Sequence, residues 1–147
     1  MKGQYLTTGF QETQELGKKF ASTLMGGEIL ALYGDLGSGK TTFVQGLAKG
    51  LGIDKQIISP TFIIMRTYDL GNREQGIGNR NFYHVDLYRI STEEDVQSLG
   101  LLELLNQPEN VVVIEWPDKI ENLLPEKRVN IYFEYLGDDR RQIRIER

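Results

Sequence analysis

The run Gly34-Asp35-Leu36-Gly37-Ser38-Gly39-Lys40-Thr41 fits the pattern G-x-x-x-x-G-K-[ST], and its surroundings restrict what the chain can fold into. Ahead of it, Glu28-Ile29-Leu30-Ala31-Leu32-Tyr33 is a short apolar run that reads as a buried strand. Behind it, Thr42-Phe43-Val44-Gln45-Gly46-Leu47-Ala48 reads as a helix running to about Leu51, with Gly50 and Gly52 marking its end. A strand, a glycine loop and a helix N-terminus make an anion cradle. The glycines let the backbone turn sharply and aim N–H groups at phosphate oxygens, and the helix end adds partial positive charge. Lys40 is placed to reach the β- and γ-phosphates, and the Thr41 hydroxyl to bind a magnesium ion. A dinucleotide-binding loop fits less well. Gly37 and Gly39 supply G-x-G, but Thr42 stands where the third glycine belongs, and Lys40 has no role there.

The remaining segments predict an α/β domain of three layers. Thr7-Thr8 precede a helical pattern with apolar Phe10, Leu16, Phe20, Ala21 and Leu24, ended by Gly26-Gly27. Ile57 to Phe62 contains Pro60 and reads as an exposed turn. Thr61 to Leu70 and Phe82 to Asp86 read as a strand pair, joined by a loop over Gly71 to Asn81. Ser91 is the expected helix cap, with Glu94 three residues on. Gly100 separates that helix from a second one at Leu101–Leu105. Val111-Val112-Val113-Ile114 lacks alternation, as expected of a strand covered on both faces. Asp118 to Leu124 reads as a short helix stopped by Pro125. Arg128–Tyr135 and Arg141–Glu146 read as a terminal hairpin. The sheet is expected to be mixed, with a parallel core beside the glycine loop and antiparallel hairpins.

Phosphate chemistry also needs a carboxylate for the metal and a group to place the attacking water. Open α/β sheets bind ligands at the C-terminal ends of their strands. Glu115 ends the apolar run Val111–Ile114 and is the first candidate for magnesium. Asp86 ends Phe82–Val85 and could hold the metal, directly or through water, or orient the nucleophile. Lys40, Asp86 and Glu115 are therefore the candidates for the chemistry. His84, the single histidine, reads on its own as a packed, hydrogen-bonded side chain. Trp116, the single tryptophan, reads as core or partner surface. Ser59 and Thr61 lie where switch loops sense a γ-phosphate.

At 147 residues, the chain has the length of one domain, spanning 1–147. It has no cysteine, which excludes disulfides and thiolate metal sites and fits a reducing cytoplasm. No apolar run is long enough to span a membrane. The net charge of −4 disfavours direct, tight nucleic-acid binding. Arg140, Arg141, Arg144 and Arg147 form a local exception and read as solvated charges on an edge strand, with a nucleic-acid or partner contact as the alternative.

With these segments in hand, the chain resembles the bacterial tRNA threonylcarbamoyladenosine biosynthesis ATPases of the TsaE (YjeE) family. The motifs that carry the resemblance are Glu12-Thr13 with Leu16-Gly17, Gly34 to Thr42, Ser59-Pro60-Thr61-Phe62, His84-Val85-Asp86-Leu87-Tyr88-Arg89, Leu99-Gly100-Leu101 and Glu115-Trp116. They span nearly the whole chain. Ser38 stands where such loops more often carry alanine.

The resemblance implies a P-loop NTPase-like fold and a slow, partner-dependent ATPase using ATP and Mg2+. It places Gly34, Asp35, Leu36, Gly37, Ser38, Gly39, Lys40, Thr41 and Thr42 at the phosphates and Thr13 near the adenine. Thr41, Glu115 and Asp86 fall at the metal. Ser59, Pro60, Thr61 and Phe62 become a switch-like loop, and His84, Tyr88, Arg89 and Trp116 become motif positions. The implied partners are TsaD and TsaB, which would carry the tRNA. ATP over GTP also comes from the resemblance; no guanine-reading N-K-x-D motif occurs. Two other readings are a small-molecule kinase, whose lid arginines could only be Arg73 and Arg80, and a nucleotide-gated binding module with little hydrolysis.

Overall fold

A computed structural model describes residues 1–58, 64–72 and 79–147. The segment 59–63, which holds the expected switch loop Ser59 to Phe62, and most of the loop between Gly71 and Asn81 lie outside the described residues. The strands are β1 (Gly3–Thr7), β2 (Ile29–Tyr33), β3 (Met65–Asn72), β4 (Asn79–Asp86), β5 (Val111–Glu115), β6 (Val129–Gly137) and β7 (Arg140–Glu146). The helices are α1 (Phe10–Ala21), α2 (Lys40–Gly50), α3 (Glu93–Gln97) and α4 (Leu101–Leu105), with a 3-10 segment at Pro117–Leu123.

All seven strands join one sheet in the order β1-β7-β6-β2-β5-β4-β3. The centre is parallel: β2 pairs with β5 and β6, and β4 with β5. The β3–β4, β6–β7 and β1–β7 pairs are antiparallel. The expected mixed α/β sheet is therefore present. Strand β5 is buried along its whole length, as its unbroken apolar run requires. One core packs α1 and α2 on the face carrying Leu30, Val113, Ile131 and Ile143. The other packs α3, α4 and the 3-10 segment on Ala31, Val112 and Ile114. The loop–strand–helix order thus places three parallel strand ends, at Tyr33, Asp86 and Glu115, along one edge of the sheet.

Helices α1 and α2 touch backbone to backbone. A Cβ added at Gly46 would lie 1.9 Å from the Gln14 carbonyl oxygen, and one at Gly17 would lie 2.2 Å from that of Phe43. The Leu16-Gly17 motif is thereby explained: only glycine admits this approach.

Three sequence expectations need correction. The chain begins with a strand, β1, where only a lead into α1 was expected; its five residues alternate weakly and gain their place by pairing with β7. That pairing makes β7 an interior strand, so its arginines do not guard an edge. The cap of α3 is Thr92, whose hydroxyl accepts the Asp95 N–H at 3.3 Å, and not Ser91. The terminal hairpin turns on Asp138 and Asp139, with φ of 51° and 60°, the two positive angles that a tight two-residue hairpin turn demands.

Candidate nucleotide site

The loop after β2 turns through three glycines with positive φ. Gly34 (151°) and Gly39 (106°) are also crowded: added Cβ atoms would lie 2.7 Å from the Phe133 carbonyl oxygen and 2.8 Å from the Arg141 Cδ, respectively. The Ser38 N–H donates to the Asp35 carbonyl at 3.2 Å and closes the turn. Asp35, Leu36 and Gly37 form its exposed tip, whereas Ser38 is buried, with its Oγ lacking a partner among the described residues. Helix α2 starts at Lys40 with no side-chain cap and no acid in its first turn. Its first-turn N–H groups have no intrahelical acceptors, so the helix end presents donors and partial positive charge.

Lys40 is only 5% exposed. Its ammonium donates to the Gly34 carbonyl at 2.5 Å and lies 4.0 Å from the centre of the Trp116 ring. Burial pulls its pKa below the ordinary 10.5, while the nearby carboxylates of Glu115, Asp86, Asp118 and Asp35 pull it back up. Asp86 and Glu115 are paired in register at the ends of β4 and β5, both nearly fully buried. The Asp86 carboxylate accepts the Tyr88 N–H at 2.9 Å, and the Asp86 N–H donates to the Ile64 carbonyl at 2.7 Å. Glu115 Oε2 lies 2.5 Å from His84 Nε2. Ile64 and Trp116, the residues flanking the two acids, carry positive φ of 74° and 60°. Large side chains pay strain in that region, which collects at functional sites.

These groups line one cavity of about 220 Å3. Gly37, Gly39, Lys40, Thr41 and Thr42 supply one wall, and Asp86, Glu115 and Trp116 the facing one, with Leu36 at the rim. A larger cleft of about 610 Å3 runs beside Gln14, Gln45, Lys49 and Ile57. It contains neither the helix N-terminus nor the paired acids, so the smaller cavity is the candidate site.

Arg141 completes this cavity, and sequence reasoning missed it. Its side chain packs on Gly39 and lies over the Tyr135 ring at 5.2 Å. Its Nε is buried without a partner among the described residues. The strand order β7-β6-β2, invisible to local patterns, brings Arg141 beside the loop that follows β2. Thr13 sits beneath the loop, fully buried. Its hydroxyl bonds that of Thr7 at 2.8 Å, and its methyl lies toward Gly39. Tyr88 and Arg89 are exposed just past Asp86, and the Tyr88 ring lies 5.2 Å from that of Trp116.

The donor set suits a phosphate–magnesium ligand. The cradle is cationic and glycine-lined, and the Thr41 hydroxyl with the Asp86 and Glu115 carboxylates lines the same cavity as hard oxygen donors of the kind magnesium takes. Among the described residues, no three His, Cys, Asp or Glu side chains gather into a metal cage.

Comparison with known proteins agrees with this geometry. A Bacillus subtilis protein described as tRNA threonylcarbamoyladenosine biosynthesis protein TsaE is 39% identical over 140 residues, covering 95% of this chain and 82% of its own. Its namesake from Rickettsia bellii is 36% identical, covering 99% and 95%. The family model described as threonylcarbamoyl adenosine biosynthesis protein TsaE matches residues 7–143. The chain belongs to the TsaE family. The crystal structure of Bacillus subtilis YdiB superposes with a TM-score of 0.77 at 33% identity, covering 99% of this chain and 84% of that one. The fold is accordingly P-loop NTPase-like, and the role of the TsaE family lies in the biosynthesis of threonylcarbamoyladenosine in tRNA. Among the described residues, no helix is long and apolar enough to cross a membrane.

Proposed function

We propose that this chain is a magnesium-dependent ATPase that drives threonylcarbamoyladenosine formation on tRNA by docking with TsaD and TsaB and resetting them between turnovers. One observation carries this reading: the uncapped N-terminus of α2, the buried Lys40 and the paired acids Asp86 and Glu115 converge on a single cavity. The cavity is small for a whole nucleotide, since ligand sites usually run to about 300–1,000 Å3. It suits the triphosphate, with the base and ribose lying across the rim toward Gly39 and Arg141.

The loop N–H groups and Lys40 bind the β- and γ-phosphates. To do so, Lys40 leaves the Gly34 carbonyl and the Trp116 face. The ammonium then exchanges a neutral carbonyl and an indole face for phosphate oxygens that carry full negative charge, an opposite-charge attraction that neither former partner supplies. Thr41 and Glu115 would hold magnesium, with Asp86 supporting the ion or the attacking water. The bound ion would neutralise charge building on the transferred phosphate. Asp86 is kept oriented by the Tyr88 N–H. A net charge of −4 gives the chain little affinity of its own for tRNA, which fits a role exercised through partners in the cytoplasm.

The test is phosphate release from ATP with the chain alone and with TsaB and TsaD added. Slow release alone and a clear rise with the partners are expected. No stimulation, together with phosphate transfer to a small metabolite, would favour a kinase.

A further inference from the structure

We infer that His84 is a positioning residue for Glu115: its Nε2 fixes one carboxylate oxygen so that the other is presented to magnesium. The inference rests on Glu115 being a magnesium ligand, as proposed above. His84 stands on β4 in register with Val113 of β5, two residues before Glu115. Side chains two apart share a sheet face, so His84, Asp86 and Glu115 all point to the α2 side. His84 is wholly inaccessible to solvent, and its contact with Glu115 Oε2 is 2.5 Å.

The rest of the ring makes no other bond: Nδ1 is buried with no partner among the described residues. A histidine kept only for packing could be any apolar side chain of its size, and the orphaned Nδ1 would then be a cost without return. Glu115 Oε1 has no hydrogen bond among the described residues. The carboxylate is therefore tethered on one side and open on the other. Glutamate has three side-chain torsions, and an untethered carboxylate beside Asp86 would swing away from its like-charged neighbour. The bond to Nε2 holds it in place, with the imidazole proton on Nε2 when Glu115 is ionised. Groups that orient metal ligands in this way typically contribute 10–100-fold to metal affinity.

The test uses manganese as a paramagnetic stand-in for magnesium, titrated by electron paramagnetic resonance into the full chain with ADP. The affinity for metal-free ADP is measured alongside it. His84→Leu fills the space without a donor and is expected to weaken manganese roughly 10–100-fold, leaving metal-free ADP affinity within about twofold. His84→Gln, whose amide nitrogen falls near the position of Nε2, is expected to recover most of the loss. Should His84→Leu fail to fold, His84→Asn carries the same test, because its shorter amide cannot reach Glu115. Wild-type manganese affinity in His84→Leu, with Glu115→Ala weakened, would overturn the positioning role and leave the metal role of Glu115 standing. Unchanged affinity in Glu115→Ala would overturn both. Failure of His84→Gln to recover affinity would reduce His84 to a packing residue.

Discussion

Lys40 keeps its charge in a place that disfavours it. Burial lowers its pKa from 10.5 in the unliganded protein, and a phosphate beside it would raise the pKa again. Between those two values, nucleotide binding takes up a proton. Affinity for ATP is therefore expected to fall as pH climbs through the lowered value, before an ordinary lysine would lose its charge. Calorimetric titrations from neutral to alkaline pH check this, and a flat affinity would count against Lys40 as a phosphate ligand. The same shift makes a statement about stability. Over the window between the lowered pKa and 10.5, the unfolded chain holds more protons than the folded one, so stability rises with pH there. At neutral pH the buried ammonium is a cost, and Lys40→Met is expected to raise the melting temperature while weakening nucleotide binding. Arg141→Ala should weaken ATP binding several-fold and leave the melting temperature nearly unchanged, as read by thermal denaturation beside the titration. An unaltered affinity would return Arg141 to the role of a surface charge.

Among the elements, the α1–α2 pair supports the glycine loop from behind. Gly46→Ala would drive a methyl into the Gln14 carbonyl, and overpacking of this kind costs about 1–3 kcal/mol or more. A clear fall in denaturation midpoint is expected, and a wild-type midpoint would show that the helices can part without loss. Most elements were legible in sequence because their signals are local. Gly100 divides α3 from α4, and the apolar run of β5 ends at its acid. Strand β1 was not legible: Gly3–Thr7 has no strong alternation, and its partner β7 lies at the other end of the chain. The α3 cap slipped by one residue because Ser91 and Thr92 are both competent caps, and backbone geometry chose the second.

At the scale of the whole molecule, three parallel strand ends, one helix N-terminus and one residue of the terminal hairpin meet at the edge of the sheet. The loop and both acids could be read from sequence, since each follows its own strand. The contribution of Arg141 could not, since it depends on how seven strands are ordered. Trp116 and Lys40 lie far apart in sequence and touch only in the fold, so their contact was equally hidden. The central claim is that Gly34–Thr41 binds the triphosphate of magnesium-ATP through Lys40. Calorimetric titration of magnesium-ATP into the wild-type chain and into Lys40→Met tests it most directly. Saturable binding at one site is predicted for the wild type, with a loss of roughly 10- to 150-fold in a variant that remains folded. Equal affinities in the two proteins would contradict the claim.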